Sequence, residues 1–410
     1  MFKNLITAVL IFFLTLGIDG NLFASKKKKK PSSKGKEEVS KNSHKSKSKK
    51  SRKKSSRKKK STSVSKKPSP KKAIPYEELS PEEKLNYLKK DMQSSIRDAI
   101  NSQVTRGGYV IVLKNNRKAL EINEVFNSRT IIPLASLTKA FIAIAILKLS
   151  QEGFLELDEP VSLYLPEIFN SDLENDYNAE IEIQHLLHHS SGIPYEGKKT
   201  ERTFTINNRN FTLPEINSAP GEKYIYSNYN YRLLGRVVEV ITGVDAITYL
   251  KEEILDPLEI DEYKTNNFDA ASGLAMSPRQ FLRYTNIYFH RGRYKKKRIL
   301  ESKYFKKLYS LPDAFFHKNY YGLGWHVLAS EKNRKVHTLF HSGIGDFSYC
   351  QVRIFTDSGY TMFFATENPG MNRHKFNKLN KNLETRLHQF IAEHKKIPER
   401  KLNKKKKKLD

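Results

Sequence analysis

A serine hydroxyl and a lysine amine, Ser136 and Lys139, stand three residues apart in PLASLTKAF, a spacing that puts both side chains on one face of a helix. Serine is a poor nucleophile until a neighbour takes its proton, and a lysine held among apolar groups loses its own more easily. The pair can therefore serve acyl transfer. Free N–H groups at a helix start also favour the negative charge that develops in such a reaction. A structural alternative stands beside this, in which Ser136 caps the helix and Lys139 snorkels outward. The spacing discriminates little by itself, because Ser-x-x-Lys recurs at Ser33/Lys36, Ser46/Lys49, Ser51/Lys54 and Ser63/Lys66 in a Lys/Ser-rich tail.

Two distant segments carry further groups. In PGEKYIYSNYNYRLLG, residues 220–235, Tyr226 and Asn228 precede a helix expected from about Tyr229 to Thr242. A phenol beside an ammonium group has its pKa, ordinarily about 10, drawn toward use as a base. The alternatives are ordinary packing for Tyr226 and helix capping for Asn228. In FHSGIGDF, residues 340–347, Gly343 and Gly345 let a strand come close to a ligand, or simply turn the chain. His185, His188 and His189 lie close together, but no carboxylate joins them in a ligand pattern, so neither a metal nor another cofactor is expected.

The elements that must position these groups follow from the surrounding pattern. Pro133 precedes a helix, ending at Gly153, whose run from Ala140 to Leu149 holds one charge, so that helix is apolar on all sides and buried. Ser80, Pro81 and Glu83 form a capping box that opens a helix to about Ile100. YVIVL (109–113) and ALEI (119–122), joined through Asn115 and Asn116, read as a hairpin. Residues 158–310 read as helices and loops without a strand ladder. Strands return at 337–342, 347–355 and 360–366, and a helix from about Lys375 to Glu393 closes the body. Cys350, the only cysteine, shares a strand face with Val352 and Ile354 and reads as a buried apolar thiol. Trp325 and Tyr321 read as pocket wall or core. Strands at both ends with helices between predict an α+β fold: one antiparallel sheet flanked by helices, with a mostly helical subdomain inserted.

The chain resembles the serine β-lactamase and penicillin-binding-protein superfamily, in the branch of class C β-lactamases, D-alanyl-D-alanine carboxypeptidases, D-aminopeptidases and related esterases. The likeness runs from about Val110 to Thr366 through PLASLTKAF, EGFLELDEPVSLYLP, IEIQHLLHHSSGIP, APGEKYIYSNYNYRLLG, ILDPLEI, SGLAMSPRQFLRY, YGLGW and HSGIGDF, in order. It implies a β-lactamase/transpeptidase-like fold and a serine hydrolase that works through an acyl-enzyme. By that resemblance Ser136 is the nucleophile, Lys139 and Tyr226 share the proton work, and Asn228 belongs to the second motif. The Lys-Thr-Gly element falls on His341, Ser342 and Gly343, and the oxyanion hole on the backbone N–H groups of Ser136 and Ile344. His341 departs from the lysine usual in β-lactamases. A histidine is mostly neutral at pH 7 and holds a substrate carboxylate less strongly, which argues against efficient β-lactam hydrolysis, and the resemblance to esterase and peptidase-like members implies an amide or ester substrate of the cell-wall-peptide, D-amino-acid or ester type.

Charge is concentrated at the ends of the chain. Residues 26–72 hold 23 Lys/Arg against 2 Glu, +21, and residues 395–410 hold 9 against 2 acids, +7, out of a total of +30. The body, 73–394, is thus near neutral, and its 322 residues suit one large core with a sizeable subdomain. Residues 26–72 contain no Phe, Tyr or Trp, which predicts disorder and, without stacking groups, no specific nucleic-acid recognition. Lys3 and the apolar run from Leu5 to Ile18 make 1–25 a signal peptide or an uncleaved anchor, so the expected place is the periplasm or cell envelope. There the basic tails meet anionic envelope polymers or lipid phosphates. The expected partners are thus a small-molecule or peptide substrate for the body and polyanions for the tails. A non-catalytic penicillin-binding-like scaffold tethered by its tail is the competing expectation.

Overall fold

Ser80 opens the first helix, α1 (Pro81–Asn101), with the expected box: its Oγ accepts from the Glu83 N–H at 3.3 Å and its own N–H donates to Glu83 Oε2 at 2.9 Å. The computed structural model describes residues 74–169, 180–195, 201–206, 209–216, 218–265, 267–309, 320–330, 332–370 and 372–398. The expected leader and N-terminal basic tail lie outside these, as does the C-terminal tail beyond residue 398.

After α1 come β1 (Gly108–Lys114) and β2 (Arg117–Glu124), turned through Asn115 and Asn116 at φ +49° and +59°. Asparagine tolerates this left-handed pair, which matches the twist of a hairpin. The chain then passes through α2 (Thr138–Gln151), α3 (Asn228–Thr242) and α4 (Pro278–Asn286). It returns as β3 (Tyr320–Tyr321), β4 (His326–Ala329), β5 (Val336–Ile344), β6 (Ser348–Phe355) and β7 (Tyr360–Glu367), and ends in α5 (Arg373–Lys395). One antiparallel sheet, ordered β3-β4-β5-β6-β7-β1-β2, joins the two ends of the chain, because β7 pairs with β1 with Val110 opposite Phe364. The α+β architecture with a helical insertion is the one expected.

Strand alternation makes this sheet the middle layer. Val110, Val112, Met362 and Phe364 face α1 and α5, where Leu88, Met92 and Ile96 meet Leu379, Leu383 and Leu387 in one core. Tyr109, Ile111, Phe363 and Ala365 point the other way, into the core around α2. Each fully buried Leu or Phe contributes about 1.5–3 kcal/mol to that packing. Cys350 lies in the second core beside Val352 and Ile354, and burial pushes its thiol up to about 12.

Two features depart from expectation. An antiparallel hairpin, Glu201–Ile206 with Arg209–Pro214, and a small three-stranded sheet centred on Ala275–Met276 occupy the region expected to lack strands. The two-residue strands of the small sheet take their pairing from distant segments and leave almost no local signature, whereas the hairpin pairs locally through six-residue strands. Helix α5 also runs past 394: Lys395 extends its ammonium over the Phe355 and Tyr360 rings, and Ile397 is buried.

Candidate active site

Helix α2 supplies the rigid floor. Every residue from Thr138 to Leu147 is buried, including Lys139 at 0% exposure, so the apolar run seats the helix in the core as its composition requires. Tyr284 of α4 donates its hydroxyl to the Ala140 carbonyl at 2.7 Å and stacks on Phe141 at 4.0 Å between centroids. Trp325 is core: its indole donates to Tyr288 Oη at 2.7 Å.

Ser136 sits on a 3-10 turn, Ala135–Leu137, just ahead of α2 rather than on the helix itself. The helix N-cap is Leu137, without a side-chain cap bond, so Ser136 is not a cap. Ala135 holds φ at +44°, a conformation that costs a β-carbon residue on the order of 1–3 kcal/mol and turns Ser136 out of the floor. The turn is pinned on several sides. Leu134 N–H donates to Leu274 O at 2.8 Å, and Leu274 N–H donates to Thr138 Oγ1 at 3.1 Å. Gly343 of β5 lies so near the Leu134 carbonyl that a β-carbon there would stand 2.1 Å from its oxygen. The close approach anticipated for Gly343 is thus to the turn of its own chain that carries Ser136.

Lys139 Nζ lies 3.2 Å from Ser136 Oγ, 2.8 Å from Asn228 Oδ1 and 2.9 Å from the Ala271 carbonyl oxygen. Two of these three neighbours can only accept. A neutral amine therefore commits both its protons to Asn228 and Ala271 and turns its lone pair on Ser136 Oγ. Burial pushes the amine down to about 7, so this neutral form is well populated at neutral pH. Outward snorkelling is excluded by the burial. Asn228 is the first residue of α3, behind the N-cap Ser227, and its side chain serves Lys139 rather than capping the helix.

Tyr226 lines the same cleft as Ser136, and its ring centroid lies 4.9 Å from Lys139 Nζ. The expectation that a neighbouring ammonium draws this phenol down is reversed: burial raises it. Tyr226 is a proton donor at neutral pH. His189, buried beneath it at 4.3 Å between ring centroids, accepts from the Ser227 N–H at 3.2 Å and so fixes the loop that carries Tyr226.

Across the cleft, His341 is 2% exposed, and burial keeps its imidazole well below the usual histidine value. Its Nδ1 lies 3.0 Å from the Ser342 carbonyl, which can only accept, so Nδ1 carries the proton. Nε2 then accepts from Tyr321 Oη at 3.1 Å. His341 is the neutral group expected. Ser342 Oγ accepts from Gln351 Nε2 at 3.2 Å. Gly345 N–H donates to Ser348 O, so by alternation the Ile344 N–H faces the opposite edge of β5, beyond the last residue paired with β4. Ile344 is 60% exposed on the cleft wall. Ser136, Tyr226, Asn228, His341, Ser342 and Ile344 thus line one cleft of about 880 Å³, with Lys139 beneath and Gly343 behind. Tyr195, Arg232 and Arg373 also line it and carried no signal in the sequence.

The three clustered histidines are turned to separate partners. His185 Nδ1 accepts from the Glu182 N–H, His188 Nδ1 donates to the Tyr321 carbonyl, and His189 serves the Tyr226 loop. Among the described residues no three such side chains are placed to hold a metal ion.

Several known proteins are similar. Protein flp of Staphylococcus aureus strain MW2 is 36% identical over 143 residues, a stretch covering 33% of this chain and 28% of that protein. The D-amino acid amidase of Ochrobactrum anthropi SV3 superposes with a TM-score of 0.58 at 18% identity, over 76% of this chain and 98% of that one. The β-lactamase/D-alanine carboxypeptidase of Yersinia pestis superposes with a TM-score of 0.57 at 18% identity, over 73% and 98%. At such identities the likeness speaks for the fold, which is one that hydrolases use. The Beta-lactamase family model matches residues 92–382, well over half of the chain, and the chain belongs to that family.

Proposed function

We propose that the protein is a serine hydrolase that cleaves amides or esters through an acyl-enzyme, with Ser136 as nucleophile and Lys139 as the base of acylation. The observation that carries this is the 3.2 Å approach of Lys139 Nζ to Ser136 Oγ, with Asn228 Oδ1 and the Ala271 carbonyl placed to take both protons of the neutral amine. Ser136 Oγ bonds to the substrate carbonyl carbon as its proton passes to Lys139. The oxyanion faces the N–H groups of Ser136 and Ile344, each such donor being worth about 3 kcal/mol in the transition state. The carbon–leaving-group bond then breaks, and the departing amine or alcohol takes the proton of Tyr226. The resulting phenolate accepts a proton from water as that water attacks the ester. Ser136 leaves with the proton held by Lys139, and every group is restored.

Substrate class follows from His341. A neutral imidazole offers a substrate carboxylate little charge, which favours esters and amides that do not depend on a carboxylate contact over β-lactams. We further infer that the chain is exported and that residues 26–72 hold it to anionic envelope polymers or lipid phosphates, on the strength of their +21 charge.

Intact-mass measurement after incubation with a fluorophosphonate, a penicillin and a p-nitrophenyl ester tests the reaction. A single covalent adduct with the fluorophosphonate is expected on the wild type and none on Ser136→Ala. No adduct and no turnover with any of the three leaves only a binding scaffold, and an adduct that persists in Ser136→Ala moves the nucleophile elsewhere.

A further inference from the structure

The acceptor that orients Lys139 from below is a main-chain carbonyl on a loop, and the loop is itself held by charge. Asp269 Oδ1 accepts from the Ala271 N–H at 2.8 Å, while Asp269 Oδ2 accepts from Arg232 Nε at 3.0 Å and Nη2 at 2.8 Å and from Ser272 Oγ at 3.3 Å. Arg232 stands on α3, one turn beyond Asn228, so a single helix carries both the side-chain acceptor for Lys139 and the anchor of the main-chain acceptor. The order of contacts is Arg232, Asp269, the Ala271 peptide, Lys139, Ser136.

We propose that Arg232 and Asp269 are positioning residues for Lys139: the pair locks the Ala271 carbonyl in place and balances the charge felt at the amine. This rests on the reading of Lys139 as the base. The two charges act on Lys139 in opposite senses, Asp269 favouring its ammonium form and Arg232 opposing it, with the carboxylate the stronger influence. The other titratable groups facing Lys139 are Tyr226, Tyr231, His189 and His341. Burial holds both phenols protonated and both imidazoles neutral, so none of them adds charge near neutral pH.

Opposed charges make a test that simple loss of structure cannot imitate. The rate of Ser136 labelling by a fluorophosphonate is measured against pH for the full chain and four variants. Arg232→Gln leaves the carboxylate unopposed, and its acidic limb is expected to move to higher pH, on the order of one unit. Asp269→Asn keeps an oxygen for the Ala271 N–H but leaves the guanidinium unopposed, and its limb moves to lower pH. The double variant returns close to the wild type. Arg232→Lys, which keeps the charge, leaves the limb in place. A limb that stays put in both single variants, or shifts the same way in both, overturns the proposal. A ¹³Cε-lysine NMR titration, with the Lys139 signal identified by its loss in Lys139→Gln, reads the same displacements without activity. A wild type that never labels therefore sinks the hydrolase reading, whereas a Lys139 signal that titrates identically in the single variants sinks this inference alone.

Discussion

With Lys139 as the proposed base, the pH dependence expected of the site is that of its amine. Its depressed value means that the working form is the neutral amine, populated above about 7 and lost as pH falls through that value. Acylation by an uncharged ester is therefore expected to fall about tenfold per pH unit on the acidic side and to level off above it. Lys139→Met should lower the acylation rate on the order of 10²–10⁴-fold and abolish that limb. Retention of rate and limb in Lys139→Met would put the base elsewhere. Tyr226 separates from Lys139 by leaving group. Tyr226→Phe is expected to spare the acylation burst with a p-nitrophenyl ester, whose phenolate departs without help, and to lower acylation by an anilide on the order of 10²-fold or more. Equal losses on both substrates would remove Tyr226 from leaving-group protonation. The side chains of this chemistry were legible in the sequence because each is a reactive type standing in an ordered set of segments. The Ala271 carbonyl, the +44° φ of Ala135 and the Asp269 anchor were not. A main-chain oxygen and a strained torsion have no letter of their own, and an aspartate distant in sequence from Lys139 declares its target only after folding.

Among the elements, β5 and the turn before α2 depend on each other through Gly343. A β-carbon at that position meets the Leu134 backbone at 2.1 Å, which cannot give way without moving Ser136. At Gly345 the nearest obstacle is Ser348 Oγ at 2.7 Å, a side-chain atom that can rotate. Gly343→Ala is thus expected to lower stability on the order of 3 kcal/mol and to suppress Ser136 labelling, while Gly345→Ala costs far less. Thermal unfolding and the labelling rate measure both, and equal effects at the two positions would contradict the contact. Elements with local signals were readable in advance: the Ser80 box of α1, the Asn115–Asn116 turn, the alternation of β6 and β7 and the apolar spacing of α5. The sheet around Ala275–Met276 was not, since its two-residue strands are held by partners that no window of sequence contains, and the local hairpin of Glu201–Ile206 with Arg209–Pro214 was missed inside a region read as helices and loops.

For the whole molecule, the separation of charge from chemistry carries its own consequence. The catalytic body is close to neutral, whereas residues 26–72 carry +21. A surface bearing anionic phospholipid attracts each engaged lysine or arginine by about 1 kcal/mol, so four engaged residues correspond to roughly a thousandfold in affinity. Screening shortens the reach of that attraction as salt rises. The full chain is expected to co-sediment with vesicles containing anionic phospholipid at low ionic strength and to release at high ionic strength, and a chain lacking 26–72 should bind weakly at both. Ser136 labelling should be the same in the two chains, because among the described residues the groups that orient Ser136 and Lys139 all lie at or after residue 134. Equal binding by the truncated chain at low salt would transfer the attachment to another surface. A labelling rate that fell with the truncation would mean that the tail acts on the site rather than only on where the enzyme sits.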